Sequence, residues 1–150
     1  MSDEIAERGR WNTQALPQLR ASLPLLRRFN AEETTRLRRG LVPRDVEDKW
    51  FICCDEDQLL LYRAWTGICI YGATLRPDPN GCTLVSPWVN REPSQYAQSD
   101  LDWDSALASW LIERLLLGRE LPFPARKGLS PDKAHAFEHT VVGRGRVAGS

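Results

Sequence analysis

Hydrophobic and polar positions follow strand-like periods most clearly over residues 49–75, KWFICCDEDQLLLYRAWTGICIYGATL. Trp50, Phe51, Ile52, Cys53 and Cys54 form a first run of residues suited to a pleated surface. The acidic cluster Asp55-Glu56-Asp57 supplies turn chemistry, and a second run follows from Leu59. Thr66-Gly67 resembles a two-residue hairpin turn, which would set Trp65 opposite Ile68, Arg63 opposite Ile70 and Tyr62 opposite Tyr71. The earlier turn sets Trp50 near Arg63 and Ile52 near Leu61. Residues 77–81, PDPNG, then turn the chain into a fourth run over 82–88. Side chains alternate between the two faces of a sheet. One face collects Trp50, Ile52, Leu61, Arg63, Trp65, Ile68 and Ile70, and the other Phe51, Cys53, Leu60, Tyr62, Ala64, Cys69 and Tyr71. Both are largely apolar, so both must be covered: one by a helix, the other by a second layer or a partner.

The flanking patterns supply the helices. Asn30 followed by Glu33 is a capping-box start, and a helix over 31–39 should end at Gly40. Ser99 with Asp102 marks a second start. Leu101, Leu107, Trp110, Leu111, Ile112, Leu115, Leu116 and Leu117 then give a helix of about 17–18 residues, near 26 Å long. Residues 14–29 carry regular leucines broken by Pro17 and Pro24, and read as short pieces. Residues 2–14 carry no strong pattern and are expected to be weakly ordered. Ser130-Pro131 opens a short helix in the tail. The expected fold is a single α+β domain: an antiparallel meander over about 48–88, packed by the helix over about 100–117. Its core spans about 15–118 and a loose basic tail runs over 119–150.

Composition narrows the class. No run of about 18 apolar residues is present, so no membrane span is expected. Four cysteines, with no C-x-x-C and no disulfide framework, suit a reducing cytoplasm. The net charge is zero but unevenly spread. Residues 1–44 hold nine arginines against five acids, residues 45–118 five bases against twelve acids, and residues 119–150 six bases against three acids. The basic ends complement the acidic middle. Nucleic acid is not expected as a partner, because no recognition helix, aromatic RNA-binding signature or zinc-finger spacing accompanies them.

Few residues offer chemistry. Arg63 is a charge among apolar strand neighbours and calls for a partner, with Trp50 to stack on it and Asp48 or Glu47 to pair with it. Trp65 lies at a hairpin tip, where an aromatic beside a cation suits an interface or a flat ligand. HAFEH, residues 135–139, matches the inverted zinc-hydrolase pattern H-x-x-E-H. Eleven residues follow it and none is His, Cys, Asp or Glu, so a third ligand would have to come from upstream. The same two histidines are the only ones available to a Ser-His or Cys-His mechanism. No phosphate-binding glycine loop is present. Cys53, Cys54, Cys69 and Cys82 read as small buried hydrophobes. These residues point to a non-catalytic cytoplasmic binding or regulatory module with no cofactor and no metal. Its working surface would be the rim formed by Asp48, Lys49, Arg63, Trp65, Arg91 and Tyr96, and its partner another protein or a second copy. The alternatives are an enzyme or binder of nucleotide ligands using the same Arg, Lys and Trp, and a zinc-dependent hydrolase built on HAFEH.

One resemblance bears on the ligand. Glu47-Asp48-Lys49-Trp50-Phe51-Ile52, followed by Leu61-Tyr62-Arg63-Ala64-Trp65-Thr66-Gly67-Ile68-Cys69-Ile70-Tyr71, resembles a group of small, uncharacterised bacterial proteins. Their core reads roughly EDKWFI and then LY, a His or Arg, and SWTG-x-CIY. Val89-Asn90-Arg91-Glu92-Pro93-Ser94-Gln95-Tyr96 and the helix end Leu115-Leu116-Leu117-Gly118 are similar to the same group, so the likeness spans about residues 41–118. Arg63-Ala64 stands where that pattern favours a His-Arg-Ser stretch. The motif sometimes occurs beside domains that process ADP-ribose, and the resemblance therefore implies ADP-ribose or a related nucleotide as ligand.

Overall fold

A computed structural model describes residues 4–124, 131–143 and 147–148. Among these, six strands form one antiparallel sheet and three α-helices pack on it, an α+β class. The strands are β1 (Arg20–Ser22), β2 (Arg27–Asn30), β3 (Trp50–Asp55), β4 (Gln58–Arg63), β5 (Cys69–Asp78) and β6 (Gly81–Asn90). The helices are α1 (Ala31–Arg39), α2 (Leu101–Trp110) and α3 (Pro131–Val142), and α2 runs on into a π-helical turn, Leu111–Leu116. The meander β3-β4-β5-β6 forms the body of the sheet. β1 and β2 both pair with β6, one after the other along the same edge. The proline-broken 14–29 stretch is therefore an interrupted edge strand, parted at Pro24.

Local signals set several boundaries. The Asn30 side chain accepts from the Glu33 amide at 2.8 Å, and the Glu33 carboxylate accepts from the Asn30 amide at 2.9 Å, so the capping box of α1 is complete. The start of α2 lies one residue later than the Ser99 pattern suggests. Asp100 is its cap, accepting from the amides of Asp102 at 3.0 Å and Trp103 at 3.2 Å. The π-helical turn has a packing reason. A 3.6-residue repeat would carry Leu117 away from the side shared by Leu111, Ile112, Leu115 and Leu116. The wider turn keeps all five buried.

The β4–β5 hairpin departs from the two-residue turn expected of Thr66-Gly67. Arg63 donates its amide to the Ile68 carbonyl at 2.8 Å, so the loop is Ala64 to Gly67 and Arg63 faces Ile68, not Ile70. Gly67 has φ +72°, and a Cβ there would stand 2.2 Å from the Asn12 carbonyl oxygen. Beyond the loop, Tyr62 pairs with Cys69 but Leu61 pairs with Tyr71, leaving Ile70 as the extra residue of a β-bulge. A one-residue offset in register reverses the face on which a side chain lands. Tyr71 thus leaves the face of Tyr62 and joins Ile70 on the helical side.

Both faces are covered within the chain. Under α1 and α2 lie Ile52, Leu59, Leu61, Ile70, Tyr71, Leu75 and Leu84. On the opposite face Phe51, Cys53, Leu60, Tyr62 and Cys69 lie beneath Ala6, Trp11, Leu16, Val42 and Trp88. The segment expected to be weakly ordered supplies much of this second layer. Trp11 stacks on Phe51 with ring centroids 5.2 Å apart and planes 9° apart, a contact worth about 0.5–1.5 kcal/mol beyond area burial. Trp11 and Gln14 also donate to the carbonyls of Ala64, Thr66 and Gly67, each at 2.8 Å, tying the hairpin loop to the N-terminal segment. Among the described residues no helix is long and apolar enough to cross a membrane.

Candidate functional site

The bulge in β5, the loop after β6 and the two later helices line a half-open cavity of about 290 Å³. Aromatic walls come from Trp50, Tyr96, Trp103 and Phe137, with Ile68 and Ile70 of the bulged segment forming the apolar floor. Arg63, Gln95, Gln98 and Thr140 bring polar groups to the same space. Phe137 of α3 lies 5.4 Å from Trp103 and 6.4 Å from Phe123, which itself meets Trp110 edge-on at 5.1 Å. This chain of rings fixes α3 over the cavity.

Arg63 finds a partner other than the carboxylates expected for it. Its guanidinium lies over Trp50 at 5.1 Å, as the strand pairing suggests. It donates to the carbonyl oxygens of Val141 at 2.6 Å and Thr140 at 3.3 Å, at the end of α3. Trp50 donates its indole N–H to the same Val141 oxygen at 2.9 Å. A helix leaves its last carbonyls without intrahelical partners, and the dipole favours a cation there. Arg63 therefore serves as a cap supplied from a strand. Burial pulls the Arg63 guanidinium below its ordinary value, while Tyr96 and Tyr71 oppose that shift.

Behind the cavity wall lies a buried carboxylate. Asp104, 0 % exposed, accepts at Oδ1 from the hydroxyls of Tyr96 at 2.6 Å and Tyr71 at 3.0 Å. Its Oδ2 accepts from Arg91 at 2.7 Å, and Arg91 also donates to the Gln98 carbonyl at 3.0 Å. Burial pushes both phenols up, and contact with the Asp104 carboxylate pushes them further. The bulge makes this network possible, because it alone turns Tyr71 toward α2.

The six residues of the expected rim separate in space. Arg63 and Tyr96 meet at the cavity, and Arg91 stands behind it, linked through Asp104. Asp48 is buried and accepts from the Arg44 amide at 2.9 Å and the Asp45 amide at 3.4 Å, folding the 44–48 turn. Lys49 donates to the Val46 carbonyl at 3.1 Å. Trp65 is 53 % exposed, donates to the same Val46 carbonyl at 3.3 Å, and leans on Trp11 at 5.6 Å. Val46, 70 % exposed, continues that surface outside the cavity.

Phe137 and Asp104 carry the site without having been singled out for it. Asp104 had a legible signal. It shares the i, i+3, i+4, i+7 positions with Leu107, Ala108 and Leu111, so the acid falls on the apolar stripe of α2. Phe137 had none, because its partners lie far away in sequence. Of HAFEH, the side chain of His135 lies outside the described residues, and His139 Nε2 sits 3.1 Å from Glu47 Oε2. Among the described residues no three His, Cys, Asp or Glu side chains stand together as a metal would need. Four free thiols are present; burial pushes Cys53 up to about 12 and raises Cys54 and Cys69 as well.

The fold and site describe an α+β domain with an aromatic, arginine-bearing cavity. No protein-family model, no curated protein and no solved structure matches the chain.

Proposed function

We propose that this chain is a non-catalytic binding module that takes a small planar ligand into the cavity between β5, α2 and α3. The observation that carries the reading is the lining. Four aromatic side chains supply flat apolar walls, and a few fixed polar groups supply orientation, as ligand sites commonly do. The cavity holds a one- or two-ring molecule. Among the described lining residues there is no carboxylate, imidazole or thiol to move a proton or attack a substrate, which favours binding over catalysis. A regulatory use in the cytoplasm fits a module of this kind.

ADP-ribose and nucleotides, the ligands implied by resemblance, would enter through their base. The aromatic walls suit the base, and Arg63 is the one cation among the described lining residues.

A protein partner remains the second reading. It is favoured by Val46 and Trp65, 70 % and 53 % exposed and joined through the Val46 carbonyl. An exposed Trp beside an aliphatic side chain is the composition of an interface anchor.

The test is thermal unfolding of the full chain with adenine, adenosine, ADP-ribose and uncharged bicyclic heterocycles. A ligand at 100 times its dissociation constant stabilises by about 2.7 kcal/mol, a midpoint shift of about 5–10 °C for this length. Such a shift, lost in Phe137→Ala and kept in Trp65→Ala, supports the cavity. A flat response across the panel overturns it and leaves the Val46–Trp65 surface as the working site.

A further inference from the structure

Each phenol has one proton and two lone pairs to offer. The Tyr96 proton is committed: its hydroxyl lies 2.6 Å from Asp104 Oδ1, the shorter of the two phenol contacts to that oxygen. Asp104 is itself fixed by Arg91 at 2.7 Å and has no exposure to water. The neighbouring Tyr71 hydroxyl, 3.2 Å from Tyr96 and 3.0 Å from Asp104, spends its proton on one of those two oxygens. Whichever it chooses, Tyr96 keeps a lone pair and no free proton. Tyr96 and Arg63 both line the cavity.

We infer that Tyr96, locked by Asp104, is a hydrogen-bond acceptor toward the cavity and selects planar ligands that carry an N–H donor beside a carbonyl, the carbonyl turned to Arg63. The inference rests on the cavity being a ligand site and adds the class of ligand: uncharged cyclic amides, the lactam edge also found on oxo-substituted nucleobases. Arg63 can serve the carbonyl because a guanidinium has five N–H groups, and only two of its contacts go to α3. An isostere that presents an oxygen where the N–H should be sets lone pair against lone pair at Tyr96, and the lost hydrogen bond leaves a buried acceptor unpaired.

Quinolin-2(1H)-one and coumarin make the comparison, since they share a shape and differ by N–H against O. Titrations by calorimetry with the full chain should give the lactam at least about tenfold tighter binding than the lactone. Tyr96→Phe keeps the ring and removes the acceptor, and the preference should collapse to about one. Tyr71→Phe leaves the Tyr96–Asp104 bond in place, and the preference should persist. Equal binding of the two probes to the unmodified chain overturns the inference while leaving the cavity as a ligand site. A preference that survives Tyr96→Phe overturns it as well. If neither probe binds, this inference falls, and the cavity reading stands or falls separately on the thermal-unfolding panel. Equal binding to the unmodified chain overturns the inference even if a variant does not fold.

Discussion

Arg63 donates to the carbonyl oxygen of Val141 at 2.6 Å, across 78 positions of sequence. A strand cation expected to pair with Asp48 or Glu47 is the cap of a distant helix instead, and the cavity exists because that helix is held. Arg63→Ala should therefore destabilise the chain by about 1–3 kcal/mol, the usual cost of removing a hydrogen bond from a charged donor. Hydrogen exchange should show the loss concentrated in α3. Arg63→Lys should recover only part of it, because an ammonium cannot reproduce the fork that reaches Val141 and Thr140 together. Uniform loss of protection across the sheet, with α3 no worse than β4, would contradict the capping role.

Two buried tyrosines should respond differently to loss of their hydroxyls. Tyr71 donates to a buried carboxylate, and Tyr71→Phe should cost about 1–3 kcal/mol in denaturant unfolding. The Tyr62 hydroxyl is buried on the other face and makes no hydrogen bond of ordinary geometry among the described residues, with the Arg8 guanidinium as its polar neighbour. Tyr62→Phe should be neutral or stabilising, by up to about 1 kcal/mol. Equal losses in the two variants would mean that Arg8 is a full hydrogen-bond partner of the Tyr62 hydroxyl.

Gly143 joins α3 to the 44–48 turn through an antiparallel bridge with Asp48. Its φ is +71°, and a Cβ there would come within 1.6 Å of the Glu47 carbonyl oxygen. Gly143→Ala should detach the end of α3 at a cost of more than about 1 kcal/mol. Limited proteolysis should then cut within α3, Pro131–Val142, faster. An unchanged digestion pattern would show that the bridge does not hold the helix.

Stability should fall at both ends of the pH range, for opposite reasons. Burial would raise the Glu33 carboxyl, but the Asn30 amide and the guanidiniums of Arg27 and Arg119 outweigh it and hold the group below its ordinary value. A carboxyl depressed in the folded state stabilises above its unfolded value, and that contribution is lost as pH falls through the folded one. Glu33→Gln should be less stable at neutral pH and lose less on acidification. At the alkaline end, burial raises Cys53 from 9.0 to about 12, and raises Cys69, Tyr71 and Tyr96. Groups raised in the folded state cost nothing below their unfolded values and destabilise as pH climbs above them. Unfolding free energies from denaturant titration should hold near neutrality and drop from about pH 9 upward, by up to about 1.4 kcal/mol per pH unit for each such group. A flat profile to pH 11 would mean that these phenols and thiols are open to water.

The sequence by itself determined the parts whose causes are local. The capping box of α1 needs only Asn30 and Glu33, three residues apart, and the Trp50–Arg63 and Ile52–Leu61 pairs follow from the short turn at residues 56–57. Alternation placed the meander, and Arg63 and Tyr96, both chosen from sequence, line the cavity. Only the tertiary structure decided the rest. Alternation counts residues and cannot announce that Ile70 will be skipped by the ladder, yet that one residue turns Tyr71 from one core to the other. The N-terminal segment has little pattern of its own because its order comes from Trp11 meeting Phe51, forty positions on. Arg63 caps α3 for the same reason: a local rule can say that a buried charge needs partners, while the choice among carbonyls far along the chain is made by packing, which no window of sequence contains.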